Sequence, residues 1–164
     1  MTVKDLERFY DYGYWVNGKL FPVVAQLTDE QFSRTLAGSY GSVRNTLVHV
    51  LSAEWGWLDR CGGHPRGAAL KPDHYRTPQS LIDAWAAVEG HMRNFLSTLS
   101  DADLDRIVEF TLPGSAPRAM PIGELLHHGM NHGVHHRGQV ALLLRELGLA
   151  PGNFDILLYY AERS

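Results

Sequence analysis

Residues 127 to 139, His127-His128-Gly129-Met130-Asn131-His132-Gly133-Val134-His135-His136-Arg137-Gly138-Gln139, hold five of the nine histidines of the chain. They lie inside a run whose apolar residues, Ile122, Leu125, Leu126, Val140, Leu143, Leu144 and Leu147, recur at helical spacing. Pro121 opens that run and Gly148 and Pro151 close it, which predicts one helix over 121–147. With His132 as zero on a wheel of about 100° per residue, Leu125 and Leu143 fall near +20° and His136 near +40°. His132 and His136 therefore share the buried stripe. His128 and His135 fall at its edge, near −40° and −60°, and His127 lies outside it, near −140°.

Two imidazoles one turn apart on a core-facing stripe are costly to bury unless their ring nitrogens find partners. One divalent metal satisfies both, and an i, i+4 pair is the spacing by which a helix offers two nitrogens to one ion. The competing reading is a pair of core histidines hydrogen-bonded to neighbouring polar groups.

The remaining periodic runs set the fold class. Thr2 with Asp5 forms a capping-box pattern ahead of a stripe through Leu6, Phe9, Tyr10, Gly13, Val16, Asn17, Leu20, Val24 and Leu27, with a bend expected at Pro22. After a connection with one short helical turn, Ser42 caps a second helix to about Arg60, and Thr77-Pro78 starts a third that runs to about Leu99. Residues 61–76 read as a loop that includes Cys61 and the solvated His64 and His74, and His91 flanks the third stripe. The segment 107–120 has the pattern of a small hairpin weakened by Pro113 and Pro117. A short helix after Asn153 covers one end. One domain over 1–164, an all-α four-helix bundle with long connections and a short C-terminal helix, is the expected fold.

The net charge of −3 contains no long run of one sign, so neither nucleic acid nor an anionic membrane is an expected partner. No segment has transmembrane length and the N-terminus lacks the apolar core of a signal peptide. A single cysteine, Cys61, cannot form an internal disulfide and suits a reducing compartment, so a cytoplasmic location is expected.

Three segments, Tyr14-Trp15-Val16-Asn17, Asn45-Thr46-Leu47-Val48-His49 and Asn131-His132-Gly133-Val134-His135-His136-Arg137-Gly138-Gln139, resemble the DinB/YfiT-like superfamily of metal-dependent four-helix bundles. The resemblance runs over nearly the whole chain, and the third segment is its specific part. It implies a metal held by one histidine of the second long helix and two of the fourth, which fall here on His49, His132 and His136. Periodicity alone leaves His49 off the apolar stripe, on a face with Ser42, Thr46, Ala53 and Gly56. A groove between helices walled by those small residues would reconcile the two readings. Asn17, His128 and Gln139 are the expected orienting partners of the ligands, and Arg137 is expected to pair with a carboxylate on another helix.

Three neutral imidazoles leave coordination positions open, and zinc and nickel both accept them. Relatives of this kind use mycothiol, bacillithiol or glutathione, so the resemblance implies a thiol-dependent S-transferase acting on an electrophile in detoxification or stress response. A metal-dependent hydrolase and a non-catalytic metal-binding stress protein are the alternatives. Hydrolysis benefits from a base beside the metal, whereas Glu54 and Glu124, the nearest acids in sequence, lie off the ligand faces. The resemblance and the large apolar residues, including Trp15, Trp55, Trp57 and Trp85, lead us to expect a homodimer.

Overall fold

The computed structural model describes residues 1–163. Four long helices carry the architecture: α1 (Val3–Val24), α3 (Val43–Cys61), α4 (Pro78–Thr98) and α5 (Ile122–Glu146), with short helices α2 (Asp29–Ser33) and α6 (Ile156–Ala161). Their starts follow the local chemistry. Thr2 and Asp5 close the capping box of α1, Ser42 Oγ accepts the Asn45 N–H at the start of α3, and Thr77 caps α4 with Pro78 at its first turn. α1 ends two residues beyond Pro22, so it does not continue to Leu27. Cys61 is the last residue of α3 rather than part of the loop that follows, and it is fully buried. Burial pushes its thiol up to about 12, which makes it inert at neutral pH.

The core has two apolar clusters. One holds Leu20 and Val24 of α1, Leu47 and Leu51 of α3, Leu81 and Trp85 of α4 and Val140 and Leu144 of α5. The other holds Leu6 and Tyr10, Trp57, Met92 and Leu96, and Leu125 and Leu126 of the same four helices. The order in which each helix passes from one cluster to the other gives its direction: α1 and α5 run one way, α3 and α4 the other. α1 packs beside α4 and α5, and α3 beside the same two. The connection 25–42 therefore crosses the bundle between diagonal helices. The connection 62–77 must run back along its length, because α3 and α4 are parallel neighbours. Gly67 N–H bonds Asp59, Leu70 N–H bonds Ser52, and Arg44 pairs with Asp73, which lays this loop antiparallel along α3.

The hairpin forms. β1 (Ile107–Phe110) pairs antiparallel with β2 (Arg118–Pro121), Ile107 opposite Pro121 and Phe110 opposite Arg118. Pro113 and Pro117 lie in the connecting turn, where they remove no ladder hydrogen bond. Phe110 meets Trp57 edge to face and closes one end of the core. Tyr159 of α6 is buried against Tyr12 and Trp15. Among the described residues no helix is long and apolar enough to cross a membrane.

Between the two clusters lies a polar layer. Asn17, Glu54 and Arg137 are all buried there. Arg137 Nε donates to Asn17 Oδ1 at 2.7 Å, and Tyr14 O–H donates to Glu54 Oε1 at 2.6 Å. The expected pairing of Arg137 with a carboxylate is corrected by this geometry: among the described residues no acid lies within ion-pair distance, and its direct partner is the Asn17 amide. Glu54 interacts with the Arg137 charge from farther away, so attraction reaches the guanidinium through the buried layer. Gly133 makes the room, since a Cβ there would stand 2.3 Å from Arg137 Nη1.

Candidate metal centre

α3 and α5 share the most extensive helix contact of the bundle, and His49, His132 and His136 meet across it. One ring nitrogen from each lies within 4.8 Å of the others. His49 Nε2 is 2.8 Å from His132 Nε2, and the His132 and His136 rings lie 4.4 Å apart. Two Nε2 atoms this close need a proton or a cation shared between them. A zinc-like ion takes imidazole nitrogens at about 2.0–2.1 Å, and three of them gathered from two helices are a donor set it binds. The donor set therefore fits a metal ion.

The electrostatics favour the ligand form of each ring. Desolvation, with the neighbouring His136 second, brings His49 down to about 4. Desolvation and the charges of His136, His49, His128 and His135 bring His132 down to about 3. His136 is also lowered by burial, against the opposing pull of its bond to Gln139. All three imidazoles are neutral at pH 7, the state that donates a lone pair to a metal.

Gln139 orients His136. Its Oε1 accepts from His136 Nδ1 at 2.6 Å and from Ser39 Oγ at 2.7 Å, which puts the proton on Nδ1 and leaves Nε2 as the donor atom. Its Nε2 donates to His135 at 3.0 Å. The other two expected orienting residues do not act in this way. Asn17 is committed to Arg137, and the exposed His128 packs edge to face on Trp57 with its centroid 5.8 Å from that of His132. Both had the right helical phase, but phase does not report distance along the helix axis.

Tyr40 and Ser39 were missed by sequence reasoning. Tyr40 stacks on the His49 ring at 3.9 Å between centroids and places its hydroxyl 3.0 Å from His49 Nε2. Ser39 has φ 47°, the one non-glycine residue with positive φ among those described, and it sits between Gly38 and Gly41, whose φ values are also positive. Its hydroxyl bonds to Gln139 and accepts from Thr46, which holds this strained turn against α5 and α3. The Gly38-Ser39-Tyr40-Gly41 sequence was the available signal for a specialised turn.

A cavity of about 310 Å³ opens beside His49, lined by Tyr40, Ser52, Ala53, Arg66 and Leu70. Of the four small residues expected to wall a groove, Ala53 alone lines it. Ser42 and Thr46 are buried in the helix start, and Gly56 lies against Arg60 and Arg66. No acid lines this cavity. Glu54 is committed to Tyr14 and Glu124 is exposed at the start of α5. His64, His74 and His91 are exposed, away from the triad. A larger cavity of about 800 Å³ lies between the loop after α3 and the hairpin, without a ligand set.

Comparison with known proteins agrees with this architecture. Protein DinB of Bacillus subtilis (strain 168) is 26% identical over 157 residues, covering 93% of this chain and 91% of that protein. The uncharacterized protein YizA of the same organism is 28% identical over 144 residues, covering 88% and 89%. A crystal structure of a DinB-like protein from Bacillus cereus ATCC 10987 superposes with a TM-score of 0.74 at 26% identity, covering 93% of this chain and 97% of that one. The sequence profile of the DinB family matches residues 1–163. With an all-α bundle, a histidine triad between its second and fourth long helices and a profile match of that extent, the chain belongs to the DinB family.

Proposed function

We propose that His49, His132 and His136 hold one divalent metal, zinc or nickel, and that the chain is an S-transferase that joins a low-molecular-weight thiol to a small electrophile. The observation that carries this reading is a cluster of three neutral imidazoles, one of which, His49, lines a cavity without a carboxylate in its lining. A divalent ion held there supplies the positive charge that lowers the pKa of a thiol. Three protein nitrogens leave coordination positions of such an ion for a further ligand, and Gln139 keeps His136 in the tautomer that donates through Nε2. Tyr40 carries an O–H to the edge of the same space and can donate to a leaving group as the sulfur attacks the electrophilic carbon. Hydrolysis, the rival chemistry, would need a base to take a proton from water, and no acid is placed to do so.

Mycothiol, bacillithiol and glutathione are the thiols to test. One of them should raise the melting temperature of the metal-loaded protein, leave the metal-free protein and His136→Ala unchanged, and form a thioether with a generic electrophile in a metal-dependent reaction. Stabilisation by metal with no response to any thiol would mean a non-catalytic metal binder.

We also propose a homodimer, working in the cytoplasm, with residues 1–164 acting as one domain. Trp57 and Trp85 are buried and Trp15 packs on Tyr159, so the argument from apolar surplus rests on Trp55, 40% exposed, with Val134, Leu142 and Leu157. Sedimentation at micromolar concentration should give twice the chain mass; a monomer mass refutes it.

A further inference from the structure

Arg66 is the only residue with a full charge lining the cavity beside His49, and it also lines the cavity of about 800 Å³ under the hairpin. Arg66 is the residue the two linings share. Among the described residues no carboxylate lies within ion-pair distance of it. Arg60, which lines the larger cavity, comes close to it: Arg66 Nε and Arg60 Nη1 lie 3.0 and 3.3 Å from the point where a Cβ on Gly56 would stand. A glycine at this position of α3 lets both guanidinium groups settle on the helix. Burial and, after it, the Arg66 charge hold the Arg60 guanidinium below its ordinary value. Asp59, whose two oxygens accept from Trp55 Nε1 and Gly67 N–H, attracts the Arg60 guanidinium without forming an ion pair with it. Two adjacent guanidinium groups, both lining the larger cavity and one of them also lining the cavity beside His49, have the chemistry of an oxyanion site.

We propose that Arg66, assisted by Arg60, binds a carboxylate of the thiol substrate, so that the thiol class this protein takes is an acidic one whose sulfur reaches the histidine triad while its carboxylate meets the two arginines. The proposal rests on the thiol-transfer reading. It favours glutathione and bacillithiol, which carry carboxylates, over mycothiol, which carries none. Arg66 is here a specificity-determining residue, outside the ligand set, and the rest of the substrate extends into the larger cavity.

The test uses metal-loaded protein and calorimetric titration with glutathione and bacillithiol, their carboxylate esters, mycothiol, and S-methylglutathione as a probe with the carboxylates but no free thiol. At least one acidic thiol should bind tenfold or more tightly than its ester in the wild type. That ratio should fall toward one in Arg66→Gln, weaken in Arg60→Gln, and decrease with added salt, while the metal content of both variants stays at the wild-type level. S-methylglutathione bound in an Arg66-dependent way, with no thiol binding through the metal, would overturn the thiol reading and keep the anion site. Acid and ester binding alike in the wild type, mycothiol binding best of all, or an acid preference that survives Arg66→Gln, would each overturn the proposal.

Discussion

His132→Ala should lose nearly all of the bound divalent metal, to below about a tenth of wild-type occupancy, while the bundle stays folded. His132 is the central member of the triad: its Nε2 lies 2.8 Å from that of His49, and its ring is 4.4 Å from that of His136. Its removal leaves two nitrogens from different helices, too few to outcompete water and chelators. His49→Ala and His136→Ala should follow closely. Gln139→Ala should cost about 10- to 100-fold in affinity, because His136 then loses the acceptor that fixes its tautomer. His64→Ala and His74→Ala change exposed side chains outside the triad and should leave metal content alone. Metal analysis after gel filtration, followed by competition with a coloured chelator, reads all of these, and full occupancy in His132→Ala would sink the assignment. Since the ion binds the folded state, loss of a metal present at about 1,000 times its Kd should also remove about 4 kcal/mol of stability.

Arg137→Met should destabilise the fold by about 3–5 kcal/mol even with metal in excess. The side chain is 5% exposed, and its replacement leaves the buried Glu54 carboxyl without the charge that offsets its desolvation. Burial raises the Glu54 carboxyl, whereas Arg137 and the Tyr14 hydrogen bond oppose that rise. In Arg137→Met the carboxyl must take up a proton or remain an unpaired buried charge, and either costs stability. At about 2–4 °C per kcal/mol for a domain of this size, the melting temperature should fall by roughly 6–20 °C. Adding Glu54→Gln should recover part of the loss, and the double-mutant cycle should show a coupling above about 1 kcal/mol. A loss under about 1 kcal/mol in Arg137→Met would show that the guanidinium is incidental to the core. Gly133→Ala tests the same layer from the other side, since its Cβ would displace Arg137 from Asn17.

Local chemistry was readable wherever it depended on neighbours in sequence. The caps at Thr2, Ser42 and Thr77, the start of α5 after Pro121 and the phase that put His132 and His136 on one face all involve residues three or four apart. His49 shows where such reading stops. Its phase on α3 is off the apolar stripe, and only resemblance linked it to the other two. The structure shows why both statements hold: His49 faces α5 at the edge of the bundle, half-buried, with Tyr40 over its outer face. Asn17 and His128 fail for a related reason, because an angle on a wheel says nothing about which helix stands opposite or at what height.

By itself, then, the sequence determined the helix inventory, the histidine pair and, through family resemblance, the third histidine of the cluster, because each is encoded in short-range spacing or in a recognisable motif. Tertiary structure alone decided that α3 and α4 run parallel, so that the connection 62–77 doubles back along α3 and carries Arg66 to the cavity beside His49. It also decided that Arg137 meets Asn17 and that Ser39 meets Gln139, contacts that span 120 and 100 residues. Side-chain pairs across helices depend on helix order, direction and axial height, which periodicity leaves free because many packings bury the same apolar stripes.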